Sequence, residues 1–162
     1  EQNTYLSPLP GGEAALKNPD RSHRKLWATR EGVESLDGEL PSDFPVEWAQ
    51  AADLARLVAR DAPHQGLVLE CEPLDDLFLA DVLDGDPGRP VVVLDQVTDP
   101  HNVGAIMRSA AAFDACAIVT QDRHAPPESG TLAKSASGAL EVLPWVRVVN
   151  LARALEEIAE AG

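Results

Sequence analysis

The chemically richest stretch of the chain is Asp99-Pro100-His101-Asn102-Val103-Gly104-Ala105-Ile106-Met107-Arg108. An amide, a glycine and an arginine follow one another across an apolar background. Asn102 stands where a helix N-cap belongs, so its amide can close the helix and still present a polar group to a ligand. Gly104, in the first turn, lets another backbone or a ribose approach closely. Arg108 lies one to two turns further on, and its fork can reach back to the loop and grip a phosphate with two hydrogen bonds. Asp99, Pro100 and His101 shape the loop. The plain alternative is a capped helix carrying a surface arginine, and the N-x-G-x-x-x-R spacing alone does not decide between the two.

A second group is defined by charge. The chain carries a net charge of −14, which is not the default for a nucleic-acid binder. The charge is uneven, however. Lys17, Arg21, Arg24, Lys25 and Arg30, with His23, face only Asp20 in their segment, while acids gather in 31–47 and 70–86. A local basic patch on an acidic body is compatible with RNA contact, and equally with a solvated surface. Lys134, Ser135 and Ser137 make a polar edge on a helix of small residues, able to touch RNA or simply to pack closely. His101, beside Asn102, is a candidate RNA contact. His64 reads as a turn or junction residue rather than a base. Trp27, Trp48 and Trp145 lie in or beside strand-like segments, where core or interface packing is expected. Cys71 and Cys116 sit in apolar runs without a partner at metal spacing, so reduced buried thiols and no metal are expected.

These residues need elements to hold them. Val91-Val92-Val93-Leu94 is an unbroken apolar run, the pattern of a strand buried on both faces of a parallel sheet. Asn102 follows it through a polar loop. Val103 to Phe113 has helical spacing, with Ile106, Ala110 and Phe113 on one face. Strand, loop and helix start together form the usual ligand position of an α/β sheet. Strands at 115–120 and 145–149 and helices at 129–139 and 151–161 continue the rhythm, which implies right-handed crossovers and a parallel sheet. Three strands make a thin sheet, so this part reads as unfinished at Gly162. No G-x-G-x-x-G follows any strand, which argues against a dinucleotide site.

The first half is a smaller alternating α/β unit. Residues 1–12 read as an irregular lead-in, 13–18 as a short helix, 25–29 as a strand, 30–36 as a helix and 45–48 as an edge strand. Ala51 to Arg60 is the clearest helix, with Leu54, Leu57 and Val58 on one face, and 66–71 is a strand. Residues 73–90 hold five Asp, two Gly and three Pro and read as an acidic linker with one helical turn near 77–82. The resulting division is 1–72, 73–90 and 91–162. No run of 18 apolar residues is available to span a membrane and no signal peptide is visible, so a cytoplasmic protein is expected.

The run LDQVTDPHNVGAIMRSAAAFDACAIV, followed by SGTLAKSASGALEVLPWVRVVNLARAL, resembles the first half of the SpoU (TrmH-type) RNA 2′-O-methyltransferase domain. The D-P-H-N-x-G-x-x-x-R-S motif and the later A-S-G-A-x-E-x-L-P and V-x-N-L segments come in that family's order. The N-terminal unit, ending in His64-Gln65-Gly66 and a strand, is similar to that of the subgroup acting on a guanosine ribose of 23S ribosomal RNA. It lacks that subgroup's usual aromatic-glycine-x-histidine helix start around Tyr5 to Ala15.

The resemblance implies an L30e-like RNA-binding unit followed by a trefoil-knotted SPOUT α/β domain, with S-adenosylmethionine as methyl donor and a homodimer as the assembly. It implies catalytic roles for Asn102 and Arg108. RNA contacts are expected from His101, Lys17, Arg21, Arg24, Lys25 and Lys134. The family's G-A-E-x-G and S-L-N-V-S loops, which build most of the knot and the adenosine pocket, do not occur in residues 1–162. The donor-binding residues are therefore expected beyond Gly162, and residues 1–162 alone are expected to be inactive. A non-catalytic RNA-binding protein of the same fold, or a transfer-RNA 2′-O-methyltransferase, is the alternative.

Overall fold

The computed structural model describes residues 4–8, 11–36, 38, 40–60, 63–84 and 88–162. The linker positions 85–87 and the first three residues of the lead-in lie outside these. The described chain is mixed α/β with two sheets.

The first sheet has the order β1-β4-β2-β3, with β1 at Tyr5–Pro8, β2 at His23–Ala28, β3 at Val46–Trp48 and β4 at Leu67–Cys71. The first of these strands replaces the irregular lead-in read from the sequence. Tyr5–Pro8 has no periodicity of its own; its strand conformation comes from antiparallel pairing with β4, Tyr5 opposite Cys71 and Pro8 opposite Val68. It lies at the sheet edge, where Pro8 lacks no ladder donor on the open side. β2 pairs antiparallel with β4 and parallel with β3. Helices α1 (Gly11–Lys17), α2 (Arg30–Glu34) and α3 (Ala51–Leu57) cover this sheet. Leu26, Ala28, Leu67, Leu69 and Cys71 form its core with Ala15. α3 brings in the fully buried Leu54.

The second sheet is wholly parallel, in the order β5-β6-β7, with β5 at Val91–Leu94, β6 at Ala117–Gln121 and β7 at Trp145–Val148. Its helices are α4 (Leu79–Leu83), α5 (Pro100–Ala112), α6 (Gly130–Ala136), α7 (Ala139–Val142) and α8 (Leu151–Ala161). β6 is the strand covered on both faces. Ile118 enters the cluster made with α5, α6 and α7, while Val119 enters the one made with α4 and α8. β5 is half-buried along its length rather than buried on both faces as expected, because only one of its edges is paired among the described residues.

Two helix readings are corrected by packing. α5 buries Val103, Gly104, Met107 and Ala110, and leaves Phe113 80% exposed, so the buried stripe is rotated from the expected Ile106–Ala110–Phe113 face. The expected helix over 129–139 breaks in two, because Ser137 (φ 50°) and Gly138 (φ 88°) both turn left-handed. Among the described residues no helix is long and apolar enough to cross a membrane.

The two sheets are joined by direct packing of β1 and α1 against α6. Gly130 makes this approach possible: a Cβ there would stand 2.2 Å from the Leu6 carbonyl oxygen. The seam is closed by a buried ionic cluster. Arg21 Nη1 donates to Glu128 (2.7 Å) and to the Glu72 carbonyl (2.8 Å), while its Nε and Nη2 donate to Glu141 (3.2 and 2.7 Å). Tyr5 Oη and the Leu74 N–H also donate to Glu128, and Asn18 donates to Glu141.

Candidate active site

α5 begins three residues earlier than the sequence suggested. Its N-cap is Asp99, whose carboxylate accepts the His101 N–H at 2.8 Å, and Pro100 takes the first helical position. Pro at that position loses no needed donor, and a carboxylate suits the positive end of the helix dipole. Asn102 is therefore not the cap but lies inside the first turn. This releases its amide from the capping duty that the sequence assigned to it. The preceding loop is held in an uncommon conformation, with Gln96 at φ 55°.

Asn102 and Arg108 are both exposed, and among the described residues neither side chain makes a hydrogen bond or ion pair. They are six positions apart, about 9 Å along the axis. His101 and Arg108 are seven apart and so share one side of the helix, about 20° from each other around it. Long helical side chains lean toward the N-terminus, so Arg108 leans toward the His101 turn.

Gly104 serves a packing role. A Cβ there would stand 2.6 Å from Ser135 Cβ and 2.7 Å from the Leu132 carbonyl oxygen, so the backbone that approaches it is that of α6. The same crossing brings Ser135 Oγ to 3.1 Å from His101 Nδ1, a hydrogen bond that fixes the imidazole. The sequence named both residues but gave no signal of their pairing across 34 positions.

The expected RNA contacts divide. His101 and Lys134 both line one open cleft between the two sheets, close to Asn102. Arg21 is corrected outright: it is 3% exposed and committed to Glu128 and Glu141, so it cannot reach RNA. Burial works against its charge, but the hydrogen bonds to Glu141 and the nearby negative groups hold its pKa above the ordinary arginine value. The same burial pushes the Tyr5 hydroxyl up and the Cys71 thiol to about 11. Lys25 is paired with Glu47 at 2.8 Å, which raises its own pKa and lowers that of Glu47. Arg24 is paired with Glu72, and Lys17 with Glu13 at 3.0 Å. Lys17, Arg24 and Lys25 are thus tied to acids of their own half of the chain, and Arg21 to acids across the seam.

Trp48 is not a core residue. It is 60% exposed with the Arg30 guanidinium over its ring. His64 accepts the Gly66 N–H at 3.0 Å, the turn role expected.

The polar side chains at the helix starts that follow the second sheet's strands are engaged as caps: Asp99 on α5, Ser129 on α6 and Asn150 on α8. They are committed to backbone N–H groups, so these residues do not by themselves make a pocket for a charged nucleoside donor.

The SpoU rRNA Methylase family profile matches residues 89–162. A Bacillus subtilis protein named as a putative TrmH family tRNA/rRNA methyltransferase is 35% identical over 100% of this chain and 68% of its own length. The chain belongs to the SpoU family. A Synechocystis protein named as an uncharacterized tRNA/rRNA methyltransferase is 41% identical over 97% of this chain and 44% of its own length. A 23S rRNA (guanosine-2′-O-)-methyltransferase of Pseudomonas syringae is 41% identical over 93% and 63%. The chain thus spans between about half and two thirds of the length of these family members. The fold agrees with solved family structures. An RNA 2′-O ribose methyltransferase superposes with a TM-score of 0.72 at 20% identity, covering 99% of this chain and 60% of that one. The SpoU methyltransferase AviRb from Streptomyces viridochromogenes, solved with AdoMet, gives 0.68 at 24%, covering 97% and 60%.

Proposed function

We propose that the full-length protein transfers a methyl group from S-adenosylmethionine to a ribose 2′-OH of RNA, with a guanosine of 23S ribosomal RNA as the target class. In this reading it works in the cytoplasm as a homodimer. Residues 1–72 form an L30e-like RNA-binding unit, 73–90 an acidic linker, and 91–162 the acceptor side of a knotted SPOUT-type methyltransferase domain. The observation that carries the reading is on α5: Asn102 and Arg108 are exposed and unengaged on a family motif, in a chain with 27 acids.

The chemistry assigned to these residues concerns the acceptor. A guanidinium is always charged, so Arg108 does not take the hydroxyl proton. It grips the phosphate beside the target ribose through two hydrogen bonds and stabilises the alkoxide developing on the 2′-oxygen. Asn102 orients the ribose or the Arg108 fork. Holding the acceptor in line is worth up to ~7–11 kcal/mol of barrier. The donor loops that the resemblance implies are absent from residues 1–162, and no step is assigned to the donor side.

The test uses the full-length protein, labelled S-adenosylmethionine and unmodified ribosomal RNA. Label should appear in a ribose 2′-O-methyl nucleoside. Arg108→Lys should bind RNA within a few-fold of the unaltered protein yet turn over slower by orders of magnitude, since lysine keeps the charge but loses the fork. Turnover that survives this change removes the bidentate role.

A further inference from the structure

The cleft between the two sheets is lined by Pro8 of β1, Leu57 and Val58 at the end of α3, Thr131 and Lys134 of α6, and His101 of α5. One wall is apolar and comes from the first sheet; the other is polar or basic and comes from the second. Its volume is about 160 Å³. A cavity of about 150 Å³ takes one benzene ring, so the cleft suits a single planar ring system with its polar substituent held at the rim.

Three observations make this a built site rather than a gap. The walls are fixed relative to each other by the buried Arg21–Glu128–Glu141 cluster and by the contact of Gly130 with Leu6. The His101 ring is held by Ser135 through Nδ1, which leaves Nε2 for a second partner. Asn102 and the His101–Arg108 side of α5 begin at its rim. A preformed mixed cleft of this kind is the usual form of a small-ligand or base pocket.

We propose that this cleft receives the base of a nucleotide adjoining the methylated one. The base would rest against Pro8, Leu57 and Val58, with its phosphate toward His101 and Lys134. This rests on the RNA methyltransferase reading and adds to it a specificity pocket beside the turn of α5 that carries His101. The occupant is nucleic acid because the polar wall carries cationic and imidazole groups in a strongly acidic chain, beside the unengaged Asn102 and Arg108.

The experiment fills the pocket in the full-length protein with Val58→Trp, and separately reverses its polar wall with Lys134→Glu. Binding of a short single-stranded RNA spanning the target, and calorimetric binding of S-adenosylmethionine, are both measured. The expected result is at least a tenfold loss of RNA affinity in each variant with donor affinity within twofold of the unaltered protein. A target RNA carrying a photoreactive thio-base next to the modified position should crosslink to residues 57–59 or 130–134. RNA affinity within twofold in both variants, or crosslinks only elsewhere, overturns the pocket while leaving methylation intact. An unaltered protein that binds no RNA overturns both the pocket and the functional reading.

Discussion

Gly104 and Cys71 each carry a prediction that belongs to a single side chain. At Gly104 the nearest atoms to an added methyl are Ser135 Cβ and α6 backbone, which cannot swing aside as a long side chain would. Gly104→Ala should therefore cost ~1–3 kcal/mol, as overpacking does, read as a lower urea midpoint. Because the same crossing seats His101 on Ser135, its RNA affinity should fall as well. Cys71 is fully buried and its thiol is pushed up to about 11, chiefly by burial. Its folded pKa lies above the unfolded one. The stability it contributes is full below the ordinary thiol value of about 8.5 and is lost as pH rises through 11. At about 1.4 kcal/mol per unit, the loss is of order 3–4 kcal/mol. Tyr5, raised by the same burial, acts in the same direction. Melting temperature should thus fall between pH 8.5 and 11. Near pH 8 a thiol reagent should modify the partly exposed Cys116 well before Cys71.

At the scale of elements, the start of α5 determines where the motif points. Asp99 accepts the His101 N–H, so Asp99→Ala should cost ~1 kcal/mol while Asp99→Asn stays near neutral, measured by chemical denaturation. The cap also explains why local pattern misplaces Asn102: Asn and Asp are nearly equal as caps, and only Pro100 at the first helical position separates the cases. β2 makes the complementary point. Arg24 and Lys25 are paired with Glu72 and Glu47, and exposed pairs of this kind add little stability but do occupy their charges. The double variant Arg24→Ala, Lys25→Ala should lower the salt slope of RNA binding by less than the ~0.9 per cation expected for two free phosphate contacts. A full loss of that size would return β2 to the RNA-facing surface.

For the whole molecule, the decisive group is Arg21. Its charge is buried at the seam and satisfied by two carboxylates from the α6–α7 region and one backbone carbonyl. Removing one member of such a cluster leaves buried charge without compensation, typically ~3–5 kcal/mol. Arg21→Met should produce that loss, seen as an early unfolding transition. Pairing it with Glu128→Gln and Glu141→Gln should restore part of it, since no charge then remains unpaired. In the singly altered protein the cleft beside His101 should also become accessible to proteases at residues 57–59.

Periodicity and motif order in the sequence determined a good deal by themselves. The parallel arrangement of β5 to β7 follows from apolar runs alternating with helical spacing, and the placement of Asn102 and Arg108 on the helix after β5 follows from the family motif. Local pattern carries these because each depends on neighbours within one turn or one strand. Tertiary structure alone decided the rest. Tyr5–Pro8 became a strand only because β4 lay beside it. Arg21 looked like one of five surface cations until Glu128 and Glu141, more than a hundred positions away, took it into the seam. The role of Gly104, between a ribose and a backbone, was settled by the approach of α6. In each case the deciding partner is distant in sequence, and a one-dimensional pattern contains no record of which distant residue will stand within hydrogen-bonding or van der Waals reach.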